Sequence, residues 1–365
     1  MGSSAYMIVK QWLFVITLAL FTVKTSAAAV TPPPAAKVSS SILHAETFIQ
    51  DKLDQRKYHL SCHAIGSKPC PVSNSGELLV LNIVYQAMSA RLSPSMRQNI
   101  AALVNLKRKN TRWLWGYNGS VLIDSDDTSN ALLLLLQLGQ PVNINDLQVF
   151  YKSAENAYTT LVTSADARPA TFASEANNTG IHPEVNANIF QVFHQLRKDD
   201  RINYDLLLKF QSPQGYWEGY FYPGKYYATY LNLKLFCASK RYPSAVSRAL
   251  DFIAAAQNKD GSWGSPGNAY ETALALNSML VCGYANSTTL MRGIRYLISS
   301  QNQYGAWSTD HPIWMYAGHD SPLLIWVAYD HEDVVTTALA LQALRHFQKI
   351  SETRRQASIS NNSAR

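Results

Sequence analysis

The sequence predicts an all-α fold, an (α/α)6 toroid of about twelve helices paired in six hairpins. Three observations lead there. The apolar residues recur with helical periodicity almost throughout, with little of the alternation that marks strands. One loop pattern repeats: RALDFIAAAQNKDGSW from Arg248 to Trp263 and RGIRYLISSQNQYGAW from Arg292 to Trp307. A weaker copy, LLLKFQSPQGYW, ends at Trp217, and a decayed one lies at Trp113-Leu114-Trp115-Gly116. Each copy precedes an apolar helix carrying threonine: DDTSNALLLLL, YYATYLNLKLF, YETALALNSML and DVVTTALALQAL. A unit of helix, Gln/Gly/Trp loop and helix cannot bury its apolar face alone, and six such units close naturally into a ring.

Along the chain, residues 1–29 read as a secretory signal. Lys10 precedes an apolar run from Trp12 to Phe21, and Ser26, Ala27, Ala28 and Ala29 supply a cleavage site. The run is short of the ~20 residues of a membrane-spanning helix. The expectation is a secreted or periplasmic protein, with membrane association left open. Removing Lys10 and Lys24 from the formal charge of +7 leaves 7 − 2 = +5. Residues 30–40, with Pro32, Pro33 and Pro34, read as a linker, 41–350 as the toroid domain and 351–365 as a disordered polar tail.

Helices are expected near 41–57, 76–92, 94–106, 127–138, 143–163, 184–196, 201–210, 227–238, 243–256, 269–283, 287–300 and 331–348. With 47% hydrophobic residues the chain can fill a large core. The positive charge is spread out, with no dense basic block interleaved with aromatics, which argues against a nucleic acid partner. Of the four cysteines, Cys62 and Cys70 flank a short loop and can pair. Cys237 and Cys282 each end an expected helix and can pair or remain buried thiols. The spacing resembles no zinc site. Asn118, Asn177, Asn286 and Asn361 stand in Asn-x-Ser/Thr sequences.

The stretch with the most chemistry is Asp124-Ser125-Asp126-Asp127-Thr128, at the head of a Leu-rich helix. Carboxylates this close cannot all ionise cheaply when buried, so at least one should stay protonated and serve as a proton donor. The competing reading is a helix cap, where negative charge is favoured.

The Arg-x₃-aromatic-aliphatic-x₃-Gln-x₃-Gly-x-Trp unit resembles the QW repeat of the squalene–hopene cyclase and prenyltransferase superfamily, strongly over residues 200–348 and weakly before. The aspartate stretch is similar to the DxDDT motif of class II terpene cyclases. The resemblance implies an α/α toroid, an isoprenoid or lipid substrate and cyclisation started by protonation. It makes Asp126 the acid, with Asp124 and Asp127 supporting it. It implies no metal, with Mg²⁺ entering only if the substrate is a diphosphate. Class I chemistry is disfavoured because Asn130 interrupts a DDxxD pattern. Since the family generally sets two barrels together, a single barrel leaves its cavity to be closed by a homodimer partner, by a lid from residues 60–75, or not at all. Contact with a membrane surface is a further expectation for such a substrate.

A carbocation needs π faces and exclusion of water. The candidate lining is Trp115, Tyr220, Tyr222, Tyr226, Tyr227, Trp314 and Tyr316, each of which can equally be toroid packing. Asn186 or Asn188 can point into a cavity or cap a helix. Asp310-His311 and Gly318-His319-Asp320 flank Trp314 and Tyr316, and His331-Glu332-Asp333 reads as the cap of the last helix. Two other functions fit the same toroid. A secreted binding module would expose Asp126 as a cap. A polysaccharide lyase or glycoside hydrolase would pair Asp126 with Glu218 or Glu271.

Overall fold

The computed structural model describes residues 31–64, 74–108, 112–117, 123–161, 180–284, 287–317 and 324–363. The signal segment, Cys70, His319, Asp320 and the sites at Asn118, Asn177 and Asn286 lie outside them, as does the side chain of Asn361. In chain order the helices are α1 (Ala35–Asp54), α2 (Glu77–Met88), α3 (Pro94–Leu106), α4 (Ser125–Gln137), α5 (Pro183–Gln195), α6 (Tyr204–Lys209), α7 (Tyr226–Ser239), α8 (Pro243–Ala255), α9 (Ala269–Val281), α10 (Thr288–Ser300) and α11 (Val334–Ser363).

Six of them, α2, α4, α5, α7, α9 and α11, form an inner ring in which each packs on the next and α11 returns to α2. Their sequences explain the position. Helix α9 buries every residue from Ala269 to Leu280, as an element surrounded by protein must. Helix α10 buries only Leu290, Gly293, Ile294 and Leu297, one stripe at helical spacing, and belongs to the outer layer. Helices α1, α3, α6, α8 and α10 make that outer layer, and α1 fills the gap between α10 and α2 by packing on α10 and α11.

The repeated loops join the layers by one set of bonds. The indole N–H of Trp217, Trp263 and Trp307 donates to the carbonyl of Leu207, Ile253 and Leu297, each at 2.7 Å. The backbone N–H of the same tryptophans donates to the hydroxyls of Thr229, Thr272 and Thr337 on the following inner helix. Gln257 ties Gly261 O to Thr289 O on the next outer helix, and Gln301 ties Gly305 O to Ser41 O on α1. A Cβ on Gly261 would stand 2.7 Å from Arg292 O, and φ there is +96°, so only glycine lets the loop seat against the helix. A disulfide between Cys237 and Cys282 fastens the ends of α7 and α9. The alternative of buried thiols is thereby settled. The other pairing considered, Cys62 with Cys70, involves a residue outside the described ones.

Several expectations are corrected. Residues 143–161, the described part of the helix expected over 143–163, are not one. Asn145–Phe150 is a 3₁₀ turn, followed by a hairpin of β5 (Tyr151–Lys152) and β6 (Ala157–Tyr158) that takes the outer position between α4 and α5. Its aromatic and β-branched residues at 158–160 suit a strand better than a helix. A four-stranded antiparallel sheet was not anticipated. It comprises β1 (Leu60–Ala64), β2 (Asn74–Ser75), β9 (Trp314–Ala317) and β10 (Leu324–Tyr329), in the order β2-β1-β10-β9. Shorter hairpins pair β3 (Trp115–Gly116) with β4 (Ile123–Asp124) and β7 (Trp263–Gly264) with β8 (Gly267–Asn268). The expected linker is helical from Ala35 onward, behind the helix-starting Pro34, and α11 runs on through the expected tail to Ser363. Residues 352–357 of that extension are exposed and rich in helix-forming Glu, Arg and Gln.

Candidate active site

The starts of α4, α5 and α7 meet at one end of the ring, where Asp126, Asn188 and Tyr222 touch. There α4 begins. Asp124 is its N-cap, with Oδ1 accepting from the Asp127 N–H at 2.7 Å and Oδ2 from the Tyr117 N–H at 3.1 Å. Thr128 locks the start of the helix, its hydroxyl accepting from Trp115 N–H and donating to Trp115 O. Those two bonds turn Asp126 inward, and it is 6% exposed. Cap and inward acid are thus two different residues of one stretch.

Asp126 is held on both oxygens. Asn188 Nδ2 donates to Oδ1 at 2.8 Å, and the Tyr222 hydroxyl donates to Oδ2 at 2.5 Å. Burial raises the Asp126 pKa above the usual carboxylate range, and these two donors oppose the rise. Burial also pushes Asp124 up to about 7 and, with the charges of Asp124 and Asp126, lifts Asp127 well above its ordinary value. Burial thus pushes the stretch towards its protonated form, against the pull of the helix N-terminus for negative charge.

A second carboxyl faces this group. Glu184, fully buried in the first turn of α5, accepts from the N–H groups of Tyr220 and Phe221 at 2.7 and 2.9 Å. Burial pushes it up to about 7, and the Asp126 charge adds to the rise. Glu184 was not singled out from the sequence. Its signal is positional, because it stands on α5 where Asp126 stands on α4, two residues past the cap.

The expected site residues separate into groups. Tyr222 touches Asp126, and Tyr227 stacks on Tyr222 with ring centroids 4.2 Å apart. Tyr220 lies nearby, stacked on His182 at 4.1 Å, and burial lowers His182 to about 4. Trp314, on β9, stacks on Tyr117 at 4.3 Å and parallel to Phe221 at 6.2 Å. These contacts extend an aromatic array from His182 to the sheet. Tyr316 also stands on β9, its side chain outside the described residues.

Three residues serve elsewhere. Trp115 is fully buried, with its indole N–H on Val104 O, as packing in the repeat loop. Tyr226 packs against Phe252 on α8, away from Asp126. Asn186 accepts from Tyr158 N–H and donates to Tyr158 O, both at 2.9 Å, so its amide fixes the β6 backbone and Asn188 is the one that reaches the acid. His311 lies 3.6 Å from Glu271. The last helix is capped by Asp330, which accepts from the N–H groups of Val334, Val335 and Thr336, rather than by His331-Glu332-Asp333. Among the described residues no three His, Cys, Asp or Glu side chains group so as to hold a metal, and no helix is long and apolar enough to cross a membrane.

Residues 182–349 match the family described as the squalene–hopene cyclase C-terminal domain. The chain is 34% identical over 118 residues to squalene–hopene cyclase of Bradyrhizobium diazoefficiens, covering 28% of this chain and 18% of that one. It is 27% identical over 165 residues to the same enzyme of Zymomonas mobilis, covering 40% and 24%. The type II terpene cyclase MstE from Scytonema superposes on 86% of this chain and 98% of its own, with a TM-score of 0.71 at 18% identity. Over residues 182–349 the chain is thus similar to squalene–hopene cyclases, and its fold is that of the type II terpene cyclase MstE. Its matched segments span about a fifth of the length of the curated relatives. The cyclase-like toroid nonetheless accounts for nearly all of MstE, a variant of which was solved with its substrate geranylgeranyl dihydroxybenzoate.

Proposed function

We propose that this protein is a class II terpene cyclase that starts cyclisation of a linear isoprenoid by proton transfer from Asp126. The observation that carries the reading is the pair of hydrogen bonds on that buried carboxyl. Asn188 and Tyr222 donate one bond to each oxygen, so both strengthen as negative charge develops when the proton leaves. Burial keeps the proton in place until an alkene or epoxide arrives. The Asp126 O–H bond then breaks as a C–H or, with an epoxide, an O–H bond forms. The π faces of Tyr222, Tyr227 and the array beyond them attract the cation. No metal is needed for protonation.

The rival functions fit less well. A binding module requires an exposed, capping Asp126, but the cap is Asp124 and Asp126 is buried. A glycoside hydrolase needs a second working carboxylate, yet Glu218 is exposed, Glu271 is tied to Asn268 in capping α9, and Glu184, which does face Asp126, is engaged by the N–H groups of Tyr220 and Phe221. A single toroid is no obstacle, since the type II cyclase MstE is covered over 98% of its length. The secretory pattern at the N-terminus supports a location outside the cytosol, where neutral polyprenes and lipids would be within reach.

The test is product analysis by mass spectrometry on linear isoprenoids supplied free, epoxidised and diphosphorylated. Wild type should yield a cyclised product. Asp126→Asn, which keeps the shape and removes the acid, should lose at least roughly 10³-fold in rate. Turnover of no substrate, or full activity in Asp126→Asn, would sink the proposal.

A further inference from the structure

Beneath Asp126 the inner helices enclose a narrow polar shaft. Asn188 and Tyr227 stand at its upper end, and Asn82, Gln86, Gln191 and Lys234 line it below. Its free space admits about one water molecule. Gln191 and Lys234 also line an opening of about 760 Å³ on the far face of the ring, away from the helix N-termini, so these two side chains stand between the shaft and solvent.

Polar contacts run its whole length. Lys234 Nζ donates to Gln86 Oε1 at 3.2 Å, Gln86 Nε2 to Asn82 Oδ1 at 3.1 Å and Asn82 Nδ2 to Asn130 Oδ1 at 2.9 Å. Asn130 in turn donates to the backbone carbonyl of Asp126 at 3.0 Å. At the top, the Asn188 amide engages both the Tyr227 hydroxyl and Asp126 Oδ1.

An acid that gives up its proton must regain it before the next turnover. The substrate side cannot supply it easily, because water there would quench the cation. We propose that Lys234 and the shaft above it return the proton to Asp126 from the face of the toroid opposite the isoprenoid, an inference that rests on the cyclase reading. Each cycle balances. Asp126 loses H⁺ to the substrate, and the final cation releases H⁺ to water as the product forms. Lys234 passes an N–H proton to the shaft water, which relays one through the Tyr227 and Tyr222 hydroxyls to the Asp126 carboxylate. The resulting amine takes H⁺ from bulk water at the opening.

The surroundings suit a donor. Burial lowers the Lys234 ammonium to about 8, so it releases a proton near neutral pH. The titratable and charged groups facing it are Tyr227 and Tyr230 on α7, His194 on α5, and Arg197 and Asp199 just beyond, with Asp199 already paired to His194 at 2.8 Å. The linings from α2, α4, α9 and α11 contribute only amides and apolar groups. A purely structural lysine, offsetting the C-terminal carbonyls of the inner helices, would affect stability alone.

The experiment compares wild type, Lys234→Gln and Gln86→Met on an isoprenoid that wild type cyclises and Asp126→Asn does not. Rapid quench reads the first turnover and steady state reads the rest, with folding checked by thermal melting. In both variants the first turnover should stay within about twofold, while the steady-state rate falls about tenfold or more. In wild type the steady-state rate should fall as pH rises through about 8, as Lys234 loses its proton. That limb should vanish in Lys234→Gln, and added imidazole should restore the variant's rate without accelerating wild type. An unchanged steady-state rate with the limb intact overturns the proposal. So does an equal loss in both phases that imidazole does not relieve. Activity in Asp126→Asn would instead show that the cyclase reading itself is wrong.

Discussion

The loop before α4 and the loop before α9 make the same bonds and present different chemistry. Trp115 and Trp263 each donate a backbone N–H to a threonine, Thr128 and Thr272, and an indole N–H to an outer-helix carbonyl. Each helix is capped four residues before that threonine, by Asp124 in one case and Asn268 in the other. Two residues before it stands Asp126 in α4 and Tyr270 in α9. The same place holds Tyr227 in α7 and, with Asn186 replacing threonine, Glu184 in α5. The difference teaches that the repeat supplies a rigid frame with one inward position per helix. Chemistry arises where two adjacent copies put carboxyls there and a third puts a tyrosine beside them.

If the frame is common to both loops, breaking it should cost stability wherever it is broken. Trp263→Ala empties a fully buried site and removes the indole bond, and should lower unfolding free energy by about 3–5 kcal/mol in urea melts. A loss under 1 kcal/mol would deny the tryptophan its role in the frame. The inward position should instead show in the pH dependence. Glu184, raised from 4.5 to about 7, keeps its proton in the folded chain where the unfolded chain has lost it. Wild-type stability should therefore fall as pH rises from about 4.5 to 7, by roughly 3 kcal/mol from this group, on top of the fall that the raised Asp124, Asp126 and Asp127 contribute. Glu184→Gln should make that part of the curve shallower by the same amount, and an unchanged slope would contradict the assignment. The smallest effect sharpens the comparison most. Thr128→Val and Thr272→Val should each destabilise by about 1–2 kcal/mol. Only the first, which orients Asp126, should also slow cyclisation. Equal slowing by both would mean that the two loops are not functionally distinct.

The inner ring and the buried aspartate cluster were legible because they rest on strong local signals. Gln, Gly and Trp recur at fixed offsets before α9 and α11, and three aspartates crowd the head of α4. The first half hid its copies. Tyr158 and Asn186 stand where tryptophan and threonine stand elsewhere, and their paired bonds form across 28 residues of chain. Asn186 thus looked like a free polar group on an apolar helix, when it is the locking residue of a disguised repeat. The sheet was missed because Leu324–Tyr329 is uniformly apolar and aromatic, without the alternation that separates strand from buried helix. Glu184 escaped notice because its carboxyl meets Asp126 only once α4 and α5 lie side by side.

The seating of α1 between α10 and α2 bears on how the ring assembles. Gln301 on the last repeat loop reaches Ser41 near the first helix, and Arg345 on α11 reaches Glu46 on α1 at 2.6 Å. The circle is thus sealed by partners about 260 to 300 residues apart. Neighbouring hairpins can form as the chain emerges, but α1 must wait with its apolar stripe, Val38, Ile42, Ala45 and Ile49, uncovered until α10 and α11 exist. Closure of that seam is a late, long-range event, slow by the entropy of its loop, and the waiting stripe is where a half-made chain is most exposed to wrong partners.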